Sequence, residues 1–160
     1  MISLATLQEQ YLKTYGAVLA RSVMGITFII AGYSKLVDIT GTGAYIERAA
    51  GLPYGTVFAV LSGSLEVVGG LALVFGVGLP VAAFLLAGFT LLTSYFFHYP
   101  ALWAHNPAQQ IMFMKNLAIA SGLLYMCAFG PGNGVRVRDL TTRLNTLIDE
   151  KLAKDDSPRE

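Results

Sequence analysis

Apolar residues run almost unbroken through four stretches of the chain, at about 17–37, 54–75, 79–97 and 109–129. Each is apolar around the whole helix circumference, with no polar face at helical spacing, as expected of a helix that turns no side to water. A helix rising about 1.5 Å per residue needs roughly 20 apolar residues to cross a hydrocarbon core of about 30 Å. All four stretches meet that length, so the pattern predicts four transmembrane helices. Pro53 and Pro80 fall near helix starts and Pro107 precedes the last span, where a missing N–H costs little. The "GVG" at 76–78 makes a very short turn between the second and third spans, and "GPGNG" at 130–134 stops the fourth.

Small residues spaced one helical turn apart, Thr27 and Ala31, Ala72 and Gly76, Ala83 and Ala87, Ala118 and Gly122, mark where helix backbones are expected to approach closely. After the bundle, Val137, Leu140, Leu144, Leu147, Ile148 and Leu152 recur at helical spacing with basic residues between them. That pattern predicts an amphipathic helix, lying on the membrane surface or docking a cytoplasmic partner. The expected fold is therefore an all-α integral membrane four-helix bundle. An N-terminal segment (1–16) precedes the membrane domain (17–134), and an amphipathic helix with a short tail (135–160) follows it.

Composition agrees: 54% of the 160 residues are hydrophobic and only 13% are charged. A net charge of +1 marks no nucleic-acid partner, but the placement of the charges is informative. Lys13 precedes the first span and Arg136, Arg138 and Arg143 follow the fourth, whereas the loop after the third has no Lys or Arg and the loop after the first has only Lys35 and Arg48. Basic residues mark the cytoplasmic side, so both termini are expected there, with two longer loops facing outward. Gln8, Glu9, Gln10 and Lys13 in the first segment are unlike a cleavable signal peptide, and the first span is expected to be retained.

The spans carry Arg21, Lys35, Glu66 and Lys115, with His98 at the end of the third. A lone charge near a helix centre costs about 2.5 to 3.5 kcal/mol on insertion scales, so partners are expected. Counting helical rise from the cytoplasmic ends places Arg21 at about 6 Å, Glu66 at about 14 Å and Lys115 at about 21 Å. Glu66 is thus expected between two bases, with Lys35 near the outer end of its span and free to snorkel. Such a group is either a buried ion pair fixing helix register or the lining of a polar pocket for a proton or an oxygen-bearing ligand. Asn116 and the "TSYFFHY" stretch, with Thr93, Ser94, Tyr95 and His98, add polar groups near the outer half. A quinone head group, with two carbonyl oxygens and a ring to stack, suits such a pocket; so does a lipid head group. His98 and His105 find only Asp38 and Glu47 as further metal donors, and no metal site is assigned. Cys127 is the chain's single cysteine, so a dithiol relay needs a partner protein.

The segments "ARSVMGITFIIAGYSKLVDITGTGAYIERAAGLP" (20–53), "LEVVGG" (65–70), "FFHYP" and "MFMKNLAIASGLLYMCAFGPG" (112–132) together resemble the DoxX family of small four-helix bacterial membrane proteins. The resemblance rests on Arg, Gly-x-x-Lys, Glu-x-x-Gly-Gly, His and Lys-Asn in the family's order and spacing. It implies a multi-pass protein of the bacterial inner membrane, with Arg21, Lys35, Glu66, His98, Lys115 and Asn116 as its recurring polar residues. It also implies a link to quinone-dependent oxidoreductases, since the family takes its name from membrane subunits of a thiosulfate:quinone oxidoreductase. Two readings stay open. One is a redox-linked subunit, catalytic or accessory, in which Glu66 with Arg21 and Lys115 holds a quinone oxygen or relays its proton while a soluble partner supplies electrons. A carboxylate between two bases suits binding better than general-acid work. The other is a non-enzymatic scaffold or carrier in the bilayer, in which the charges are structural and a homo-oligomer supplies any missing half.

Overall fold

The computed structural model describes residues 4–103, 106–130 and 146. The chain runs α1 (Leu4–Val37), α2 (Ile39–Ala50), α3 (Gly55–Phe75), α4 (Leu79–His98), a single 3-10 turn (Pro100–Leu102) and α5 (Pro107–Phe129). Among the described residues, four helices are long and apolar enough to cross a membrane: Thr14–Val37, Gly55–Phe75, Leu79–Leu102 and Pro107–Phe129. These are the four expected spans, with ends shifted by a few residues. The amphipathic helix expected within 135–160 lies outside the described residues, except for Thr146.

Local chemistry sets the helix ends. Gly76 takes a left-handed conformation at φ 69° and its N–H closes on the carbonyls of Ala72 and Leu73. Gly78, also left-handed, opens α4 with Pro80 in its first turn, so the predicted "GVG" turn reverses the chain between α3 and α4. Asn106 caps α5 by accepting from the Ala108 N–H at 3.1 Å.

The segment between the first two spans is a helix rather than the expected loop. Asp38 caps α2 by accepting from the Gly41 N–H at 2.9 Å, and left-handed Gly51 ends it. The buried Gly43 lets this helix come down on the start of α3, where a side chain at Gly43 would collide with the backbone of Gly55 and Thr56. Tyr54, left-handed at φ 64°, gives α3 no side-chain cap; Glu47 supplies one from α2, accepting from the Gly55 N–H at 2.9 Å.

The helices pack as two pairs, α1 on α3 and α4 on α5, joined mainly through α3 and α4. In the first pair Gly25 stands against Gly70 and Gly32 against Gly63; a Cβ on Gly32 would lie 2.5 Å from the Gly63 carbonyl, and one on Gly70 2.6 Å from that of Gly25. Glycines seven residues apart on both helices therefore set this contact, while Ala83 and Ala87, one of the four-residue small pairs, are buried in the core. The packed apolar core, centred on Phe28, Leu73, Leu79, Leu86 and Leu123, fills the half of the bundle nearest the Gly76–Gly78 turn. The opposite half, beneath α2, is hollow.

Candidate functional site: an intramembrane cavity

A cavity of about 550 Å³ occupies that half, and all four spanning helices and α2 contribute to its wall. Most of the wall is apolar or aromatic, with Phe28, Phe58, Phe89, Phe96 and Phe97 among its residues. From α2, Tyr45 stacks on Phe97, their ring centroids 5.6 Å apart and nearly parallel. Against this background Lys35, Glu66, His98, Lys115 and Asn116 reach the same cavity. Sequence reasoning had named all five.

The pairing differs from the expected one. Glu66, its side chain only 6% exposed, accepts from Lys35 Nζ at 2.5 Å. The glycine contacts set α3 so that Glu66 stands level with Ile29 of α1, roughly 9 Å of helical rise from Lys35. Side chains lean toward the N-terminus of their own helix. In an antiparallel pair Lys35 therefore leans down toward Glu66 while Glu66 leans up toward Lys35, and a four-carbon stem closes the gap. Lys35 does not snorkel outward.

Arg21 lies elsewhere. It is buried midway along α1, toward the start of the membrane-spanning part Thr14–Val37, with its guanidinium against Gly76 at the C-terminus of α3. A cation there complements the negative end of the helix dipole. Arg21 lines no part of the cavity and is not the partner of Glu66. Lys115 does line the cavity but meets no carboxylate among the described residues; its Nζ donates to Met112 Sδ at 3.3 Å. Of the expected Arg21, Glu66 and Lys115 group, Glu66 and Lys115 thus share the cavity without pairing, Arg21 lies outside it, and Lys35 takes the role assigned to Arg21.

At the end of the cavity beneath α2, His98 Nδ1 pairs with Gln109 Oε1 at 2.5 Å, and Trp103 Nε1 donates to the His98 carbonyl at 3.0 Å. These contacts tie the end of α4 to the start of α5 across the break at Pro100. Of the other "TSYFFHY" groups, Thr93 reaches the cavity, whereas Tyr95 points outward and Ser94 is buried away from it. Asp38 and Glu47, the carboxylates weighed as metal donors, are engaged as helix caps, and His105 lies outside the described residues. Cys127 packs beside the apolar core, away from the cavity.

Tyr45, Thr42 and Ile46 also line the cavity, and sequence reasoning missed them because it read their segment as a loop. The signal was present: Asp38 three residues before Gly41 is an N-cap pattern, and Gly51 suits a helix C-cap.

Comparison with known proteins adds a lineage. The DoxX family model matches residues 16–99, which take in nearly all of the first three spans, with Lys35, Glu66 and His98. The chain is also 41% identical over 121 residues to the inner membrane protein YqjF of Escherichia coli strain K12, a match covering 76% of this chain and 88% of that one. No solved structure matches.

Proposed function

We propose, for a chain that belongs to the DoxX family of inner-membrane proteins, that the cavity holds a quinone head group and that the protein is a redox-linked membrane subunit serving a soluble oxidoreductase. The convergence of five polar side chains on one aromatic-walled cavity carries this reading. Aromatic walls accept a flat ring, and pockets of a few hundred cubic ångströms with a few placed polar groups are typical small-molecule sites. The Lys35 ammonium has three N–H donors and gives one to Glu66, leaving others to offer a carbonyl oxygen. Glu66 fixes where that ammonium sits. Asn116 and Lys115 on α5 offer donors to a second oxygen.

The test is purification in mild detergent followed by absorbance and mass spectrometry of whatever stays bound. Wild-type protein is expected to retain quinone, and Glu66→Gln to retain about tenfold less while keeping its helical circular dichroism, in line with loss of a charged hydrogen bond. Wild-type protein that carries no quinone and takes none up overturns the reading. The contact of α1 with α3 beside the Lys35–Glu66 pair favours a second reading, a scaffold in which the pair is a clamp. Unfolding of Glu66→Gln selects that one.

The basic residues flanking the first and fourth spans support cytoplasmic termini, which puts the cavity in the periplasmic half of the bilayer. A C-terminal fluorescent-protein fusion, which matures only in the cytoplasm, is expected to fluoresce; a C-terminal alkaline phosphatase fusion that is active reverses the orientation.

A further inference from the structure

The cavity has a side facing the bilayer. α1 and α5 approach where Met24 meets Gly122, its methyl 3.7 Å from where a Cβ would stand, and share little else. On the α2 side of that contact, Thr27 of α1 and Lys115 of α5 both line the cavity and both are exposed. Each lies well inside its membrane-spanning helix, so the surface they share is lipid-facing. Lys115 is also the charge least provided for: Lys35 is matched by Glu66, while Lys115 has only a thioether, a weak acceptor, and no carboxylate within ion-pair distance among the described residues. A cation exposed at that depth is costly enough to call for an oxygen from outside the chain.

We infer that the ligand enters sideways from the bilayer through the gap between α1 and α5, as a lipid-soluble molecule whose hydrocarbon tail stays in that gap and whose electron-rich oxygen end rests on Lys115. This deepens the quinone reading and rests on it: the ligand is a long-tailed membrane quinone rather than a water-soluble one arriving past α2. Thr27 and Ala31 on one side and Lys115 and Ile119 on the other flank this gap, and all four are cavity residues. Tail and head then lie along one path from lipid to the Lys35–Glu66 pair.

Trp103, the chain's single tryptophan, is bonded to the backbone of cavity residue His98, so quinone binding is read by quenching of its fluorescence in lipid nanodiscs. The probes are decylubiquinone and the tail-less ubiquinone-0, which share a head group. Lys115→Met removes a lipid-exposed charge and is expected to weaken both about tenfold, with Lys115→Arg close to wild type. Ala31→Phe, which narrows the gap, is expected to slow entry of decylubiquinone about tenfold more than that of ubiquinone-0. Normal binding by Lys115→Met, or equal slowing of the two probes by Ala31→Phe, overturns the lateral route and leaves the quinone reading standing. Absence of quenching by either probe in wild-type protein overturns both.

Discussion

Gly32→Leu is expected to cost about 3 kcal/mol or more and to lower the melting temperature of the purified protein by roughly 10 °C. A Cβ at this position meets the Gly63 carbonyl at 2.5 Å and Glu66 Cβ at 2.8 Å. The obstruction is partly backbone, which no rotamer change relieves, so α1 and α3 have to separate. Separation at Gly32 also opens the contact at Gly25 and Gly70, because both lie along the same helix pair. It further pulls Lys35 away from Glu66. Gly88→Ala is the control: a Cβ there meets nothing within 4 Å, and alanine in a helix is favoured over glycine by up to about 1 kcal/mol. Thermal unfolding followed by circular dichroism in one detergent compares them. Equal melting temperatures for the two variants would show that the glycine contact does not hold the pair together.

The second large effect is an asymmetry between the partners of the ion pair. Lys35→Met leaves the Glu66 carboxylate buried without its cation, which is expected to cost about 3–5 kcal/mol. Glu66→Gln leaves Lys35, whose side chain is 28% exposed and long enough to turn toward the end of α1. Its expected cost is only about 1–3 kcal/mol. The double replacement Lys35→Met with Glu66→Met removes both charges and is expected to return to within about 1 kcal/mol of wild type, because breaking a buried pair costs far more than replacing it. Chemical unfolding of the three variants measures the differences. A double variant no more stable than Lys35→Met alone, or a larger loss for Glu66→Gln than for Lys35→Met, would contradict the pairing. Recovery of stability without recovery of quinone binding in the double variant separates the clamp from the ligand site.

The four spans and the "GVG" reversal were legible because length, uniform apolarity and left-handed glycines are local properties. Five of the six residues singled out for chemistry reach one cavity for an equally simple reason: a charge or histidine in hydrocarbon is costly, so it gathers with others of its kind. Their pairing was not legible. Depth counted along helices treats a side chain as level with its own Cα, and that paired Glu66 with Arg21 and left Lys35 to snorkel. The lean of side chains toward helix N-termini moves Lys35 and Glu66 toward each other. The α1–α3 contact was not legible either, because Gly25 with Gly32 and Gly63 with Gly70 repeat every seven residues, whereas the small pairs singled out repeat every four; of those, Ala83 and Ala87 are buried in the core. Helix α2 was missed since Thr40, Gly41, Thr42 and Gly43 have the composition of a loop, and the caps at Asp38 and Gly51 were overlooked; packing on α3 adds to them.

The ion pair joins residues 31 positions apart on helices linked only by α2. During synthesis α1 reaches the membrane first, carrying Lys35 near its end, and α3 follows with Glu66 near its middle. Singly, each helix bears a charge that weighs against its partition into lipid; as a hairpin they bury one neutral pair. Glycine faces that let the backbones touch make that hairpin compact before α4 and α5 have emerged. The first three helices are therefore suited to leave the insertion machinery as one unit, with α4 and α5 closing around them afterward.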